Sequence, residues 1–305
     1  MGAVFLPSTV MLVYRGFQVK IQFVSVGLSV LLALMAQSSK ANVVSHEISY
    51  YGADFYKDLA AGVTNEDLVR HLQVILHSSH KTVTGTYDQI SNSCSGEGCY
   101  SHIILGYDRA RTFMMGVYYL VKEDSGYAVK DVYCNNYKHS HDFKKNPPGP
   151  NLIPEGTVLN TEHTWPQSKF TGKYDKEMQK SDLHHLYPTD SEINSVRGNI
   201  EFGDVVKDDK ILKCKESRVG QTDKGTDVFQ PPANHKGNVA RALIYFSVQY
   251  SLPLGQEQES TLKKWNREDP VDEEEMHRND EIMKIQGNRN PFVDYPELVD
   301  LVANF

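Results

Sequence analysis

No charged residue lies between Ile21 and Ser39, and all four cysteines of the chain fall after that stretch. The apolar centre, Phe23 to Met35, follows Arg15 and Lys20 and runs into small residues ending Ser39-Lys40-Ala41. A basic start, an apolar stretch of roughly 7–15 residues and an S-x-A site describe a secretory signal peptide over residues 1–41. The alternative is an uncleaved membrane anchor, but the apolar centre is short of the ~20 residues a span needs. No cysteine follows it directly, so a lipid anchor is not expected, and translation could begin at Met11. What remains, residues 42–305, is expected to fold outside the cytosol, secreted or periplasmic.

That compartment gives the cysteines their meaning. An even number of exported cysteines suggests disulfides. Three pairings are open to Cys94, Cys99, Cys134 and Cys214. The favoured one joins Cys94 to Cys99 around Gly96 and Gly98 and staples Cys134 to Cys214. Four free buried thiols are the alternative. A zinc site is disfavoured, because no C-x-x-C spacing occurs.

The periodicity is mixed. A helix is expected over residues 64–78, with Thr64 and Asp67 forming a capping-box-like start and Leu68, Leu72 and Ile75 on one face. Strands are expected over 113–121 and 127–133, joined by the turn Glu123-Asp124-Ser125-Gly126. Residues 144–154 read as a loop, and a short strand is expected around 156–160. Helices are expected over 237–250, 257–267 and 271–286, the last two separated by Asp269-Pro270. The fold class is α+β, richer in helix than strand, in one domain. With 305 residues, 40% hydrophobic and 23% charged, the chain has no disordered, collagen-like or multispan character.

Three short segments carry chemistry. Glu162-His163-Thr164-Trp165-Pro166 sets a carboxylate beside an imidazole at a strand end. Neighbours on a strand face opposite ways, so one shared site requires the backbone to turn there. A plain polar strand end would look the same. Asp182-Leu183-His184-His185 suggests metal or hydrogen-bonding work, or a histidine holding a loop. Asn194-Ser195-Val196-Arg197-Gly198-Asn199 packs amides and a guanidinium into six residues. An amide oxygen suits Mg²⁺ and a guanidinium suits phosphate, but a turn with a helix cap would read alike. His139-Ser140-His141 reads as a solvated loop, with a zinc site as the alternative.

Together these segments resemble the endonuclease I family of secreted, non-specific nucleases, within the ββα-metal (His-Me finger) group. The resemblance rests on Glu162 to Ser168, Asp182 to Pro188 and Asn194 to Asn199. It continues through Gly237 to Ala242, Trp265 to Pro270 and Ile285 to Phe292. It implies a ββα-metal core with His163 as general base and Glu162 and Asn199 holding one divalent cation, usually Mg²⁺. It further implies Arg197 at a phosphate, and Asp182, His184 and Asn194 shaping the site. DNA and RNA would be the substrates, with no protein partner and a monomeric chain.

The residue chemistry agrees. Phosphodiester hydrolysis needs an activated nucleophile, neutralised charge and a proton for the leaving oxygen. A neutral imidazole near pH 7 serves the first need. No second carboxylate cluster is evident, which disfavours a two-metal mechanism. A silent binding protein would lack Glu162, His163 or Asn199, and all three are present. A zinc hydrolase built on His184-His185 would carry stoichiometric zinc.

The formal charge of −7 argues at first sight against a polyanionic partner. Residues 268–281, however, hold eight acids and one arginine, so the acidity is concentrated there. That stretch is expected to be a solvated helix face away from the phosphate path.

Overall fold

The computed structural model describes Val44 and residues 46–305. The expected signal peptide lies outside the described residues. Among the described residues no helix is long and apolar enough to cross a membrane.

Two helices come first, α1 (Gly52–Ala61) and α2 (Asn65–His77). Leu68, Leu72, Ile75 and Leu76 of α2 are buried, the face that the spacing predicts. The capping box is absent, since the Thr64 side chain accepts no backbone N–H of the helix, only the Asn65 side-chain amide at 3.3 Å. Asn65, at φ 54°, instead accepts the Ala303 N–H on its side-chain oxygen at 2.9 Å. The C-terminal tail therefore anchors the start of α2. Strands β1 (Ser79–Lys81), β2 (Gln89–Ser91) and β3 (Cys99–Tyr100) form a sheet ordered β2-β1-β3. The Cys94–Cys99 disulfide closes the loop that leads into β3.

The strand expected from residue 113 is not there. Helix α3 (Tyr107–Phe113) runs into a π-helical turn, Met114–Tyr118, and strand β4 covers only Leu120–Glu123. Short apolar runs do not separate buried helix from buried strand, and here packing chose helix. Met114 and Met115 are buried, and the Asn151 N–H donates to the Gly116 carbonyl at 2.9 Å. A Cβ on Gly116 would lie 2.7 Å from the Leu152 backbone, so only glycine admits that approach. The predicted turn does pair β4 with β5 (Gly126–Asp131), which pairs in turn with β6 (Asn136–His139).

Strands β7 (Leu159–His163) and β8 (Leu186–Asp190) pair antiparallel, with Leu159 opposite Asp190 and His163 opposite Leu186. Between them lie helix α4 (Lys176–Ser181) and a 3₁₀ turn, Leu183–His185. β7 begins three residues later than expected, because residues 155–158 close a turn through Val158 N–H to the Glu155 carbonyl. Helix α5 (Ser191–Arg197) follows β8 directly. Asp190 caps it, accepting the Glu192 and Ile193 N–H groups. Then β9 (Glu201–Phe202), β10 (Lys207–Lys210), β11 (Arg218–Gln221) and β12 (Asp227–Gln230) form a sheet ordered β10-β11-β12-β9.

The expected C-terminal helices appear as α6 (Lys236–Tyr250), α7 (Gln256–Glu268) and α8 (Glu273–Gln286), broken at Asp269-Pro270 as predicted. A short helix, α9 (Pro291–Asp294), follows. α6 is buried on nearly every side and forms the centre of the core. Helix exceeds strand, so the mixed α+β class holds.

The acidic stretch is not wholly a solvated face. Glu275 is buried and takes the Arg241 guanidinium on both oxygens, at 2.8 and 2.5 Å. Arg278 is buried as well and donates to the Leu183 and Leu186 carbonyls. Partners far along the chain neutralise charges that a linear count leaves exposed.

Both favoured disulfides are present, and no cysteine among the described residues is free. Cys134 and Cys214 are 80 residues apart. Replacing both with serine is expected to lower unfolding free energy by about 2–4 kcal/mol, mainly by freeing the unfolded chain. Urea unfolding of variant and parent checks this; equal midpoints would contradict it.

Candidate active site

His163 ends β7 with 7% of its surface exposed. Its Nε2 lies 3.1 Å from the Lys180 carbonyl. That carbonyl is in the last turn of α4, where carbonyls lack intrahelical partners. A carbonyl only accepts, so Nε2 carries the hydrogen. Nδ1 keeps its lone pair, facing the Gln167 side-chain nitrogen at 3.3 Å. Burial, then the neighbouring His185, then Lys180 and Arg197 hold the imidazole well below its usual pKa, against the opposing bond to Lys180. The result is a neutral base with one fixed tautomer and one acceptor nitrogen, to which the Gln167 amide donates.

Glu162 and His163 meet different neighbours, as successive strand residues should. The His163 ring lies against Tyr107, Phe170 and His185. The Glu162 carboxylate lies 2.8 Å from Arg197 Nη1, and both side chains are 2% exposed. Burial pushes the Glu162 carboxyl up, with Arg197 and the Tyr133 hydroxyl opposing. Oε1 is the carboxylate oxygen that faces Arg197 in this ion pair.

Arg197, expected at a phosphate, faces inward. Its Nη1 donates to the His163 carbonyl at 3.0 Å and its Nη2 to the Thr164 carbonyl at 2.7 Å. Its guanidinium carbon sits 4.4 Å from the Phe202 ring centre. The side chain thus ties α5 to the end of β7. Gly198, at φ 53°, ends the helix, and the exposed Asn199 follows with its amide nitrogen 3.5 Å from Ser168 Oγ. Asn194 is brought closer to β7, its amide nitrogen 3.1 Å from the Thr161 carbonyl.

Asp182, His184 and His185 build the floor. Asp182 accepts from the His184 N–H, Gln286, Tyr245 and Tyr250. Burial raises its carboxyl, but His102, His184, His185 and Gln286 outweigh that and hold it low. The His184 Nε2 meets the Asn288 carbonyl at 3.3 Å and the His185 Nε2 meets the Gln179 carbonyl at 2.8 Å. Burial pushes their pKa values down to about 3 and about 4. The two rings face different partners, Tyr245 and Phe246, and do not converge as a zinc-binding pair. The loop at residues 139–141 holds its first histidine 2.9 Å from Glu123, and both its histidines are more than a third exposed.

Among the described residues, one group of potential ligands converges: Asp131, Cys134 and Asp190. Cys134 is in a disulfide, and Lys138 Nζ lies 3.6 Å from Asp131 and 2.7 Å from Asp190. With Lys213 Nζ 2.9 Å from Asp190 as well, two lysines already balance the two carboxylates. A cavity of about 750 Å³ is bounded by Tyr51, Asp58, His71 and Ile90 and includes none of the expected site residues. A cleft of about 450 Å³ opens beside His163, along Gly106, Tyr107, Arg109, Glu177 and Lys180.

Sequence reasoning missed Tyr107, Gln167 and Lys180 around the base, and the clamp of Arg278, Gln286 and Asn288 beneath it. Gln167, Gln286 and Asn288 did stand within resembling segments. The others left no local signal, because their partners are distant or are backbone atoms.

The sequence model of the family described as Endonuclease I matches residues 100–297. The extracellular ribonuclease of Bacillus subtilis (strain 168) is 35% identical over 160 residues, 46% of this chain and 52% of that protein. An extracellular deoxyribonuclease of Aeromonas hydrophila is 36% identical over 132 residues, 41% of this chain and 54% of its own length. A periplasmic deoxyribonuclease of the same organism is 37% identical over 123 residues, 38% and 48% of the two chains. This chain spans about half the length of the curated relatives it matches.

Proposed function

Because the chain belongs to the endonuclease I family, we propose that it is an exported endonuclease hydrolysing phosphodiester bonds of DNA and RNA with little sequence preference. Relatives named as ribonuclease and deoxyribonuclease, extracellular and periplasmic, support both the substrate range and the destination. On this reading residues 1–41 are a cleaved leader, residues 42–305 the nuclease domain with a ββα-metal core, and the working form a monomer. The observation that carries the reading is the His163 tautomer, with Nε2–H tied to the Lys180 carbonyl and Nδ1 left as the acceptor, facing the Gln167 amide.

In this reaction His163 Nδ1 takes the proton of the attacking water. Lys180 prevents the ring from turning or switching tautomer. Arg197 keeps β7 from fraying by holding the His163 and Thr164 carbonyls. Glu162 and Asn199 hold one divalent cation, Mg²⁺. The Glu162 carboxylate, charge-paired with Arg197, and the exposed Asn199 amide oxygen are hard donors, which fits that ion. When bound, the cation supplies positive charge to the phosphate and the leaving oxygen. Contacts limited to phosphates account for the low specificity.

The test is incubation of the purified protein with plasmid DNA and with RNA, in Mg²⁺ or EDTA. Cleavage of both in Mg²⁺ and of neither in EDTA is expected; intact nucleic acid in Mg²⁺ defeats the proposal. Glu162→Ala and Asn199→Ala are each expected to raise the Mg²⁺ concentration needed. If Asn194→Ala does so and Asn199→Ala does not, the amide tied to β7 is the ligand.

A further inference from the structure

We propose that the cleft formed by Tyr107, Arg109 and Lys180 is a subsite for a backbone phosphate one nucleotide away from the bond being cut. This rests on the phosphodiesterase reading above and adds to it where the strand runs. The cleft contains two acids, and both are engaged. Asp108 pairs with Arg111 at 2.6 Å, and Glu177 accepts the Tyr107 N–H at 2.5 Å. Its two cations are not: neither Arg109 nor Lys180 forms an ion pair among the described residues. Against the one carboxylate there without a cation partner, Glu177, these two cations leave a net positive charge beside the base in an otherwise acidic chain.

The geometry ties this field to the reacting centre. Lys180 Nζ lies 4.2 Å from the Tyr107 ring centre, and the Tyr107 and His163 rings are 5.4 Å apart. Lys180 therefore acts at both ends. Its carbonyl orients the base, and its ammonium sits over the tyrosine that separates the base from the cleft. The Tyr107 backbone is fixed by Glu177, on the same helix as Lys180. A phosphate held by Arg109 and Lys180 would thus be in register with His163, because one helix positions both. Charge complementarity selects a polyanionic strand, and the openness of the sequence-independent contact agrees with low specificity.

The test is binding of a single-stranded 12-mer to the full protein in EDTA, read by fluorescence anisotropy over a range of salt. Arg109→Gln and the double variant with Lys180→Gln are compared with the parent, after circular dichroism confirms the fold. The expected result is weaker binding and a log Kd–log salt slope shallower by about 0.7 per cation removed. A second measurement compares cleavage of a long strand with cleavage of a dinucleotide that has a single phosphate. The parent's preference for the long strand should collapse in Arg109→Gln, through KM more than kcat. Unchanged salt slopes, or equal losses on both substrates, overturn the subsite. Failure of the parent to cleave in Mg²⁺ would instead sink the nuclease reading, while the EDTA binding slopes still decide the subsite.

Discussion

Replacing His163 by alanine is expected to lower the rate of Mg²⁺-supported cleavage by roughly 10²–10⁴, the usual contribution of a positioned base. The loss should fall on kcat, because the ring serves proton transfer. Equal activity in the variant would remove His163 from the mechanism. The same site predicts a pH dependence. Burial, followed by His185, Lys180 and Arg197, holds the imidazole well below its usual 6.5. A base with a lowered pKa stays unprotonated as pH falls through 6.5, and so remains able to accept a proton. The acidic limb of kcat/KM should therefore lie below pH 6.5. A limb at or above that value would show that the ring is not buried as described.

Arg197→Met is expected to cost about 3–5 kcal/mol of stability, because it strands the buried Glu162 carboxylate. It also removes the donors to the His163 and Thr164 carbonyls, so activity should fall with it. Arg197→Lys should not rescue it fully, since one ammonium cannot reproduce the fork. The sign of the pH effect follows from Glu162. Its folded pKa is raised, and without Arg197 it rises further. The folded state then holds that proton more tightly than the unfolded chain. The penalty should thus be largest at neutral pH and shrink as pH falls towards the unfolded carboxyl's range. Urea unfolding at two pH values, with Glu162→Gln added to Arg197→Met, measures it. A variant as stable as the parent would show that the pair does not support β7.

Much of the architecture was readable locally. The spacing of Leu68, Leu72 and Ile75 located α2, and Asp269-Pro270 located the break between α7 and α8. Both cysteine pairings that the spacing and compartment favour are present. Over residues 113–118 a short apolar run is compatible with either period, and the Leu152 backbone packing against Gly116 decides for helix. Thr64 looked like a cap, but Asn65 and the C-terminal tail do the anchoring.

The candidate site divides along the same line. The sequence alone determined which groups are available: a carboxylate and an imidazole side by side, a histidine pair, and an arginine between two amides. It did not determine their partners. Arg197 read as a phosphate ligand because a guanidinium suits phosphate, yet tertiary packing turns it onto Glu162 and two carbonyls. The acidic helix read as solvated, yet Glu275 and Arg278 are buried in pairings with Arg241 and with the 183–186 backbone. Only the fold sets the Lys180 carbonyl against His163 and so chooses the nitrogen that can accept a proton. The physical reason is range. Helix and strand periods, turns and caps act over a few residues and are written in local order. Ion pairs, desolvation and bonds to backbone carbonyls depend on which distant segments pack together, and these set the charge state and direction of every group in the site.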